Sequence, residues 1–92
     1  MEEMVRKYRK KPVEIEAIKW TGSNYGDVCH FTGQVLSRSY QNLIDGKPDA
    51  LVIPTLEGDM VCRPGDFIIK GVQGEFYPCK PDIFAQTYEE IE

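Results

Sequence analysis

The segment Arg63-Pro64-Gly65-Asp66-Phe67-Ile68-Ile69-Lys70-Gly71-Val72-Gln73-Gly74-Glu75-Phe76-Tyr77-Pro78-Cys79-Lys80-Pro81-Asp82-Ile83-Phe84 decides the fold class. It brackets two short apolar runs with three Pro and three Gly. Pro presets φ and Gly supplies positive φ, so each cluster is a turn with a mechanism behind it. Pro64-Gly65-Asp66 turns into a strand at Phe67–Lys70. Gly71-Val72-Gln73-Gly74 turns out of that strand and into Glu75–Cys79. With two glycines placed between strands, this is a hairpin turn and not a phosphate loop. Asp66, directly after Pro64-Gly65, is the best placed carboxylate to accept backbone N–H groups. Pro78 marks the close of the second run. Lys80-Pro81-Asp82 then reads as a helix start. Pro81 favours an extended residue before it, and Asp82 is the expected cap for the amides of Ile83 to Ala85.

Working outward, Ala50–Pro54 and Met60–Arg63 flank Glu57-Gly58-Asp59 and predict another hairpin. Pro54 cannot donate to a ladder, so its end of the strand belongs at an edge or a bulge. Short strands recurring every 8–10 residues predict a small antiparallel sheet curled into a barrel or half-barrel. Val13–Thr21 alternates at first, with Val13, Ile15 and Ala17 on one side and Glu14 and Glu16 on the other, which predicts a half-buried strand. The phase changes at Ile18 to Trp20, through a bulge or through burial of both faces. Ser23 or Asn24 caps a short helix carrying Asp27, Val28, Cys29 and Phe31, closed by Gly33. Gln34–Tyr40 reads as a strand and Asn42–Asp49 as turn chemistry. After one helical turn at Asp82, a closing strand over Thr87–Ile91 is favoured over a helix continuing to Ile91. The fold class is therefore mainly β or α+β, with one or two short helices.

Ninety-two residues predict one domain, 1–92, with a basic arm at 1–11 and a β-rich body at 12–92. Net charge is −4, unevenly spread. Met1–Lys11 holds five basic and two acidic residues, +3, and the rest holds six basic and thirteen acidic, −7. An acidic body argues against broad nucleic-acid binding, which needs a basic face. Arg6-Lys7-Tyr8-Arg9-Lys10-Lys11 is the exception, either a contact for an acidic partner or a solubilising lead-in. Cys29, Cys62 and Cys79 are an odd, widely spaced set that makes neither a disulfide framework nor a zinc site. No metal and no cofactor is expected. The first twenty residues lack the long apolar run of a signal peptide, and no segment approaches a membrane span. The expected location is the cytoplasm, with reduced thiols.

Chemistry-bearing residues are few. Cys79 between Pro78 and Lys80 has a reading as a thiolate lowered by Lys80 and a helix N-terminus, with His30 the only histidine available as a base. Its plainer reading is a small apolar residue in a turn. Glu57, Asp59, Asp66, Glu75 and Asp82 gather in turns, where carboxylates serve as backbone acceptors more often than as acids or metal ligands. Trp20, Phe76, Tyr77, Phe84 and Tyr88 supply aromatic surface, and Trp20 and Tyr77 carry polar handles. With Arg63, Lys70 and Lys80 on the same hairpins, Trp20 and Tyr77 form a candidate pocket for a phosphate-bearing or nucleotide-type ligand. Trp20 has a second reading as core. The motifs GxGxxG, Walker A, GxSxG and HExxH are absent.

Two stretches carry a resemblance. Tyr8–Gly22 (YRKKPVEIEAIKWTG) and Pro64–Phe84 (PGDFIIKGVQGEFYPCKPDIF), with Tyr88-Glu89 after it, resemble a family of small phage and prophage proteins. The likeness covers both ends, about 40 residues, and leaves Ser23–Ala50 outside it. It carries no catalytic residues over. It implies an accessory role in a bacterial host: a non-enzymatic binding module that antagonises a host system through a host protein or a nucleotide-type small molecule. The alternatives are a homo-oligomeric assembly protein joined through a sheet edge, a nucleic-acid-binding regulator using the basic arm, and a small enzyme using Cys79 or the turn carboxylates.

Overall fold

The computed structural model describes residues 5–7, 13–39 and 50–91. Through them run β1 (Glu16–Lys19), α1 (Tyr25–Thr32), β2 (Ser37–Ser39), β3 (Ala50–Thr55), β4 (Gly58–Cys62), β5 (Phe67–Lys70), β6 (Phe76–Cys79) and α2 (Pro81–Thr87). The protein is mainly β, as expected, but the strands do not form one curled sheet. They form two antiparallel sheets of three strands each, ordered β1-β5-β6 and β2-β3-β4, and these do not close into a barrel. The expected turn at Asn42–Asp49, the end of the expected strand at Tyr40 and most of the basic arm lie outside the described residues.

The split into two sheets is decided at the turn between β4 and β5. Asp66 N–H donates to Arg63 O at 2.9 Å, and Gly65 sits at φ 101°. Pro64 and Gly65 thus occupy the two central positions of a type II turn, the second of which requires positive φ. With Asp66 N–H used inside the turn, the Trp20 carbonyl takes Gly65 N–H instead, while Trp20 N–H donates to Asp66 O at 2.9 Å. Two residues therefore oppose one, the pattern of a glycine bulge. The turn hands β5 to β1 and away from β4. The sequence anticipates irregularity at Ile18–Trp20, and the structure places the bulge on the facing strand. Through Lys19 the register is even, from Glu16↔Lys70 to Lys19↔Phe67.

Burial on both faces is found in β5, the strand that faces β1. Ile68 and Ile69 are neighbours pointing to opposite faces, and both are fully buried. The alternation upstream is misleading in extent, because Val13 is half exposed and the strand begins at Glu16. The main core is Trp20, Val28, Leu36, Leu51, Ile53, Cys62 and Ile68, with Ile18, Tyr25, Cys29, Phe31 and Phe76 partly buried against it. Each fully buried Leu or Ile contributes about 1.5–3 kcal/mol relative to exposure. The sheets meet where β6 packs against β3 and β4.

Asn24 stands at the N-cap of α1 but does not cap it with its side chain. Its Oδ1 accepts from Thr21 N–H at 2.9 Å and from Thr21 Oγ1 at 3.0 Å, and its Nδ2 donates to Lys19 O at 2.8 Å. The residue ties the end of β1 to the helix entry. Gly33 closes α1 as expected, at φ 70°, donating its N–H to the carbonyls of Cys29 and His30. Pro54 lies past Val52, the last β3 residue paired with β2, in keeping with its inability to donate.

At the other end the helix start is displaced by two residues. Lys80 is the N-cap, in extended conformation, and Pro81 takes the first helical position. Asp82 lies inside the helix, its Oδ1 accepting only its neighbour Ile83 N–H at 2.9 Å. The expected closing strand at Thr87–Ile91 is not formed: α2 runs to Thr87 and residues 88–91 are irregular. On β6, the nearest outer strand, Pro78 opposite Ile68 has no N–H to give to an added strand. The tail instead docks by aromatic contact, with Phe84 stacked on Phe67 at 4.0 Å and 8° and Tyr88 beside Phe84 at 5.1 Å. Among the described residues no helix is long and apolar enough to cross a membrane.

Candidate functional site

Where the β3–β4 hairpin faces the beginning of β6, an open cleft of about 300 Å³ forms. One wall is Thr55, Leu56, Glu57 and Met60, and the other is Glu75, Phe76, Tyr77 and Pro78. The hairpin wall is held by local chemistry. Leu56 and Glu57 are the two loop residues between the paired Thr55 and Gly58. Thr55 Oγ1 donates to Gly58 O at 2.6 Å and accepts Glu57 N–H at 3.1 Å, and Gly58 supplies φ 109°. The hydroxyl fixes the turn, and the turn leaves Leu56 projecting with 76 % of its surface exposed.

The second wall is held by core and turn together. Phe76 is half-buried, edge-on to Phe31 of α1 at 5.6 Å and 70°. Glu75 precedes it, its Oε1 accepting Gln73 N–H at 3.0 Å while Gly71 N–H donates to Glu75 O at 2.7 Å. The Glu75 carboxyl folds back over Gly71, where a Cβ would collide with it. Gly74, at φ 83°, donates its N–H to Gly71 O at 3.0 Å. Burial and a hydrogen bond with Tyr88 push the Tyr77 hydroxyl up to about 12, so it enters the cleft wall as a neutral group.

Of the five residues read from sequence as a ligand pocket, only Tyr77 lines this cleft. Trp20 is fully buried and belongs to the core. The Arg38 guanidinium lies over its ring at 5.3 Å and over Tyr25 at 5.1 Å. Arg63, Lys70 and Lys80 are exposed, at the end of β4, the end of β5 and the start of α2. Lys80 Nζ lies 3.4 Å from Asp66 Oδ2. The charges that do line the cleft are acidic, Glu57 and Glu75. Pro78, expected in a turn, is inside β6 and lines the cleft.

Asp66 is 5 % exposed, and its Oδ2 accepts Arg63 N–H at 3.0 Å. It is the backbone acceptor that the Pro-Gly-Asp order predicts. Its negative charge acts on both nearby cysteines. Burial, the Asp66 charge and the Asp82 charge all push the Cys79 thiol up, opposite to the lowering that a nucleophile needs. Burial, with Asp66, pushes Cys62 up to about 12 despite Lys80. Cys29, Cys62 and Cys79 are free thiols. His30 is exposed on α1. Among the described residues no three of His, Cys, Asp and Glu are placed to hold a metal ion.

Thr55, Leu56, Glu57 and Met60 are absent from the sequence-based site. The available signal is Leu56, because a large apolar side chain at the tip of a two-residue hairpin has no turn-forming reason to be there. Comparison of the chain with protein-family models, with characterised proteins and with solved structures finds no match.

Proposed function

We propose that the protein is a non-enzymatic binding module that engages a partner protein through the cleft between the β3–β4 hairpin and β6. The observation that carries this reading is the exposed apolar wall: Leu56 and Met60 face Phe76 and Tyr77 across an open furrow. Apolar surface rimmed by polar groups is the usual mark of a docking site. The thiols nearest the C-terminal motif are held protonated, which argues against thiolate chemistry. Between the two ligand types that the sequence allows, a protein segment fits better than a phosphate-bearing molecule. Arg63, Lys70 and Lys80 do not line the cleft, and its two carboxylates would repel an anion. The resemblance of both ends of the chain to small phage and prophage proteins supports a role in antagonising a host system.

The test is affinity capture from bacterial cells with wild-type protein and with Leu56→Asp/Met60→Asp, followed by native mass spectrometry. Both substitutions are at exposed positions, so the fold should survive, as circular dichroism would show. A discrete protein retained by wild type and lost from the variant supports the reading. Equal capture by both, or a bound species below about 1 kDa, well short of a protein-sized partner, overturns it.

A second reading rests on β4. It is the outer strand of its sheet, and Met60 and Val61, which point to opposite faces, are both exposed. Such an edge can pair with a second copy of the chain. A symmetric dimer that Val61→Lys dissolves would favour assembly, and a monomer at high concentration would remove it.

A further inference from the structure

Resting on the reading of this cleft as a protein-binding site, we infer that its occupant is an extended cationic segment of the partner, with a large apolar side chain seated against Leu56 and Phe76 and Lys or Arg flanking it. Size is the first argument. At about 300 Å³ the cleft is at the small end of ligand pockets, so it takes side chains and not a cofactor or a folded knob. Shape is the second. Its two sides come from β4 with its hairpin and from β6, each the outer strand of its sheet. A furrow between two outer strands suits a chain laid along it. Pro78 lacks an N–H, so β6 offers side chains and few backbone bonds, and the apolar walls must supply most of the contact.

Charge is the third argument and fixes the sign. Glu57 on the hairpin wall and Glu75 on the β6 wall are the only charged residues lining the cleft. Glu57 makes no side-chain bond among the described residues, and Glu75 accepts only Gln73 N–H, so neither has an ion-pair partner there. Residues 12–92, these two glutamates included, carry −7 and the whole chain −4, which steers a cationic partner inward and repels an anionic one. Two glutamates, one on each wall, with the Glu75 carboxyl held over Gly71 at its end of the cleft and apolar surface between them, match a segment that alternates basic and apolar side chains.

The test uses the whole chain and three fluorescein-labelled synthetic peptides: alternating Lys–Leu, alternating Lys–Ser and alternating Glu–Leu. Binding is followed by anisotropy and mapped by amide chemical shifts. The Lys–Leu peptide is expected to bind most tightly, to shift Leu56, Glu57, Met60, Glu75 and Tyr77, and to weaken with salt. Glu57→Gln and Glu75→Gln each keep an acceptor and remove a charge, so each should weaken binding about two- to fivefold. Tighter binding of Glu–Leu at the same residues would overturn the cationic inference and leave the binding site standing. Equal binding of Lys–Ser, shifts spread over the whole acidic body, or no effect of either Gln substitution would also overturn it. If no peptide moves any cleft resonance, the inference and the binding-site reading fall together.

Discussion

A single carboxylate sets the geometry on which the two halves of this chain meet. Asp66 is nearly buried, accepts the Arg63 N–H, and uses its own backbone N–H and C=O in the turn and in the bond to Trp20. Removing its side chain strands a part-buried N–H and the Lys80 contact. Asp66→Ala should therefore cost about 1–3 kcal/mol in urea denaturation, and Asp66→Asn, which keeps an acceptor, clearly less. Equal losses would show that the charge and not the hydrogen bond matters. Trp20 offers a second check at this scale. As the only tryptophan and fully buried, it should emit in the blue, resist quenching by iodide, and stay unchanged when a ligand occupies the cleft. A quenchable or ligand-sensitive Trp20 would return it to the site. The residue types at Pro64, Gly65 and Asp66 announce their roles because a type II turn has narrow demands. Trp20 announces nothing comparable, since an indole suits a core and a pocket wall alike.

Among the elements, α2 is the most weakly attached. None of its residues is buried, and its hold on the sheet is Phe84 against Phe67, helped by Tyr88. Phe84→Ala should cost about 1–3 kcal/mol and release the helix before the sheets. Hydrogen exchange would then speed up over Pro81–Thr87 and stay slow over β1 and β5. Global loss of protection would mean that α2 is integral to the core. The same weak attachment explains why the end of the chain is hard to read. Phe84, Tyr88 and Ile91 fit a helical face, and Thr87–Ile91 fits a strand. Neither pattern contains the aromatic contacts, Phe84 on Phe67 and Tyr88 beside Phe84, that fix the end of the chain. For β4 and β5 the turns at both ends are written in Gly, Pro and Asp, so these strands are legible. β1 is legible in kind but not in extent, because Val13 has the right character with nothing to cover it.

For the whole molecule, the alkaline limb of stability is the accessible signature of how its polar groups are buried. In the folded chain Cys62 moves from 9.0 to about 12 and Tyr77 from 10.0 to about 12, both chiefly through burial. Each holds its proton more tightly when folded than when unfolded. Their contribution is fully present below pH 9 and is lost as pH rises from 9 toward 12. Stability from denaturant titrations should fall across that window, and Cys62→Ala should fall less steeply while Tyr77 and Cys79 keep the remainder. A flat profile in the wild type would show that neither group is desolvated. Alkylation at neutral pH tests the same burial: Cys62 should react only on unfolding, and Cys29 and Cys79, which are partly exposed, should react first.

The cleft shows where local reading stops. Tyr77 and Pro78 sit in the C-terminal motif, while Leu56, Glu57 and Met60 sit in a hairpin that looks like ordinary turn chemistry. The sequence by itself determined the strands of the C-terminal half, the Pro-Gly turn, the glycine close of α1 and the acidic character of the body. Each of these depends on a few adjacent residues, through φ preference, alternation or charge. Only the tertiary structure decided that the strands part into two sheets, that Trp20 is core, and that Glu57 and Glu75 line one furrow. Those outcomes depend on which distant strand receives β5, and the bond between Gly65 N–H and the Trp20 carbonyl settles that across 45 residues of chain.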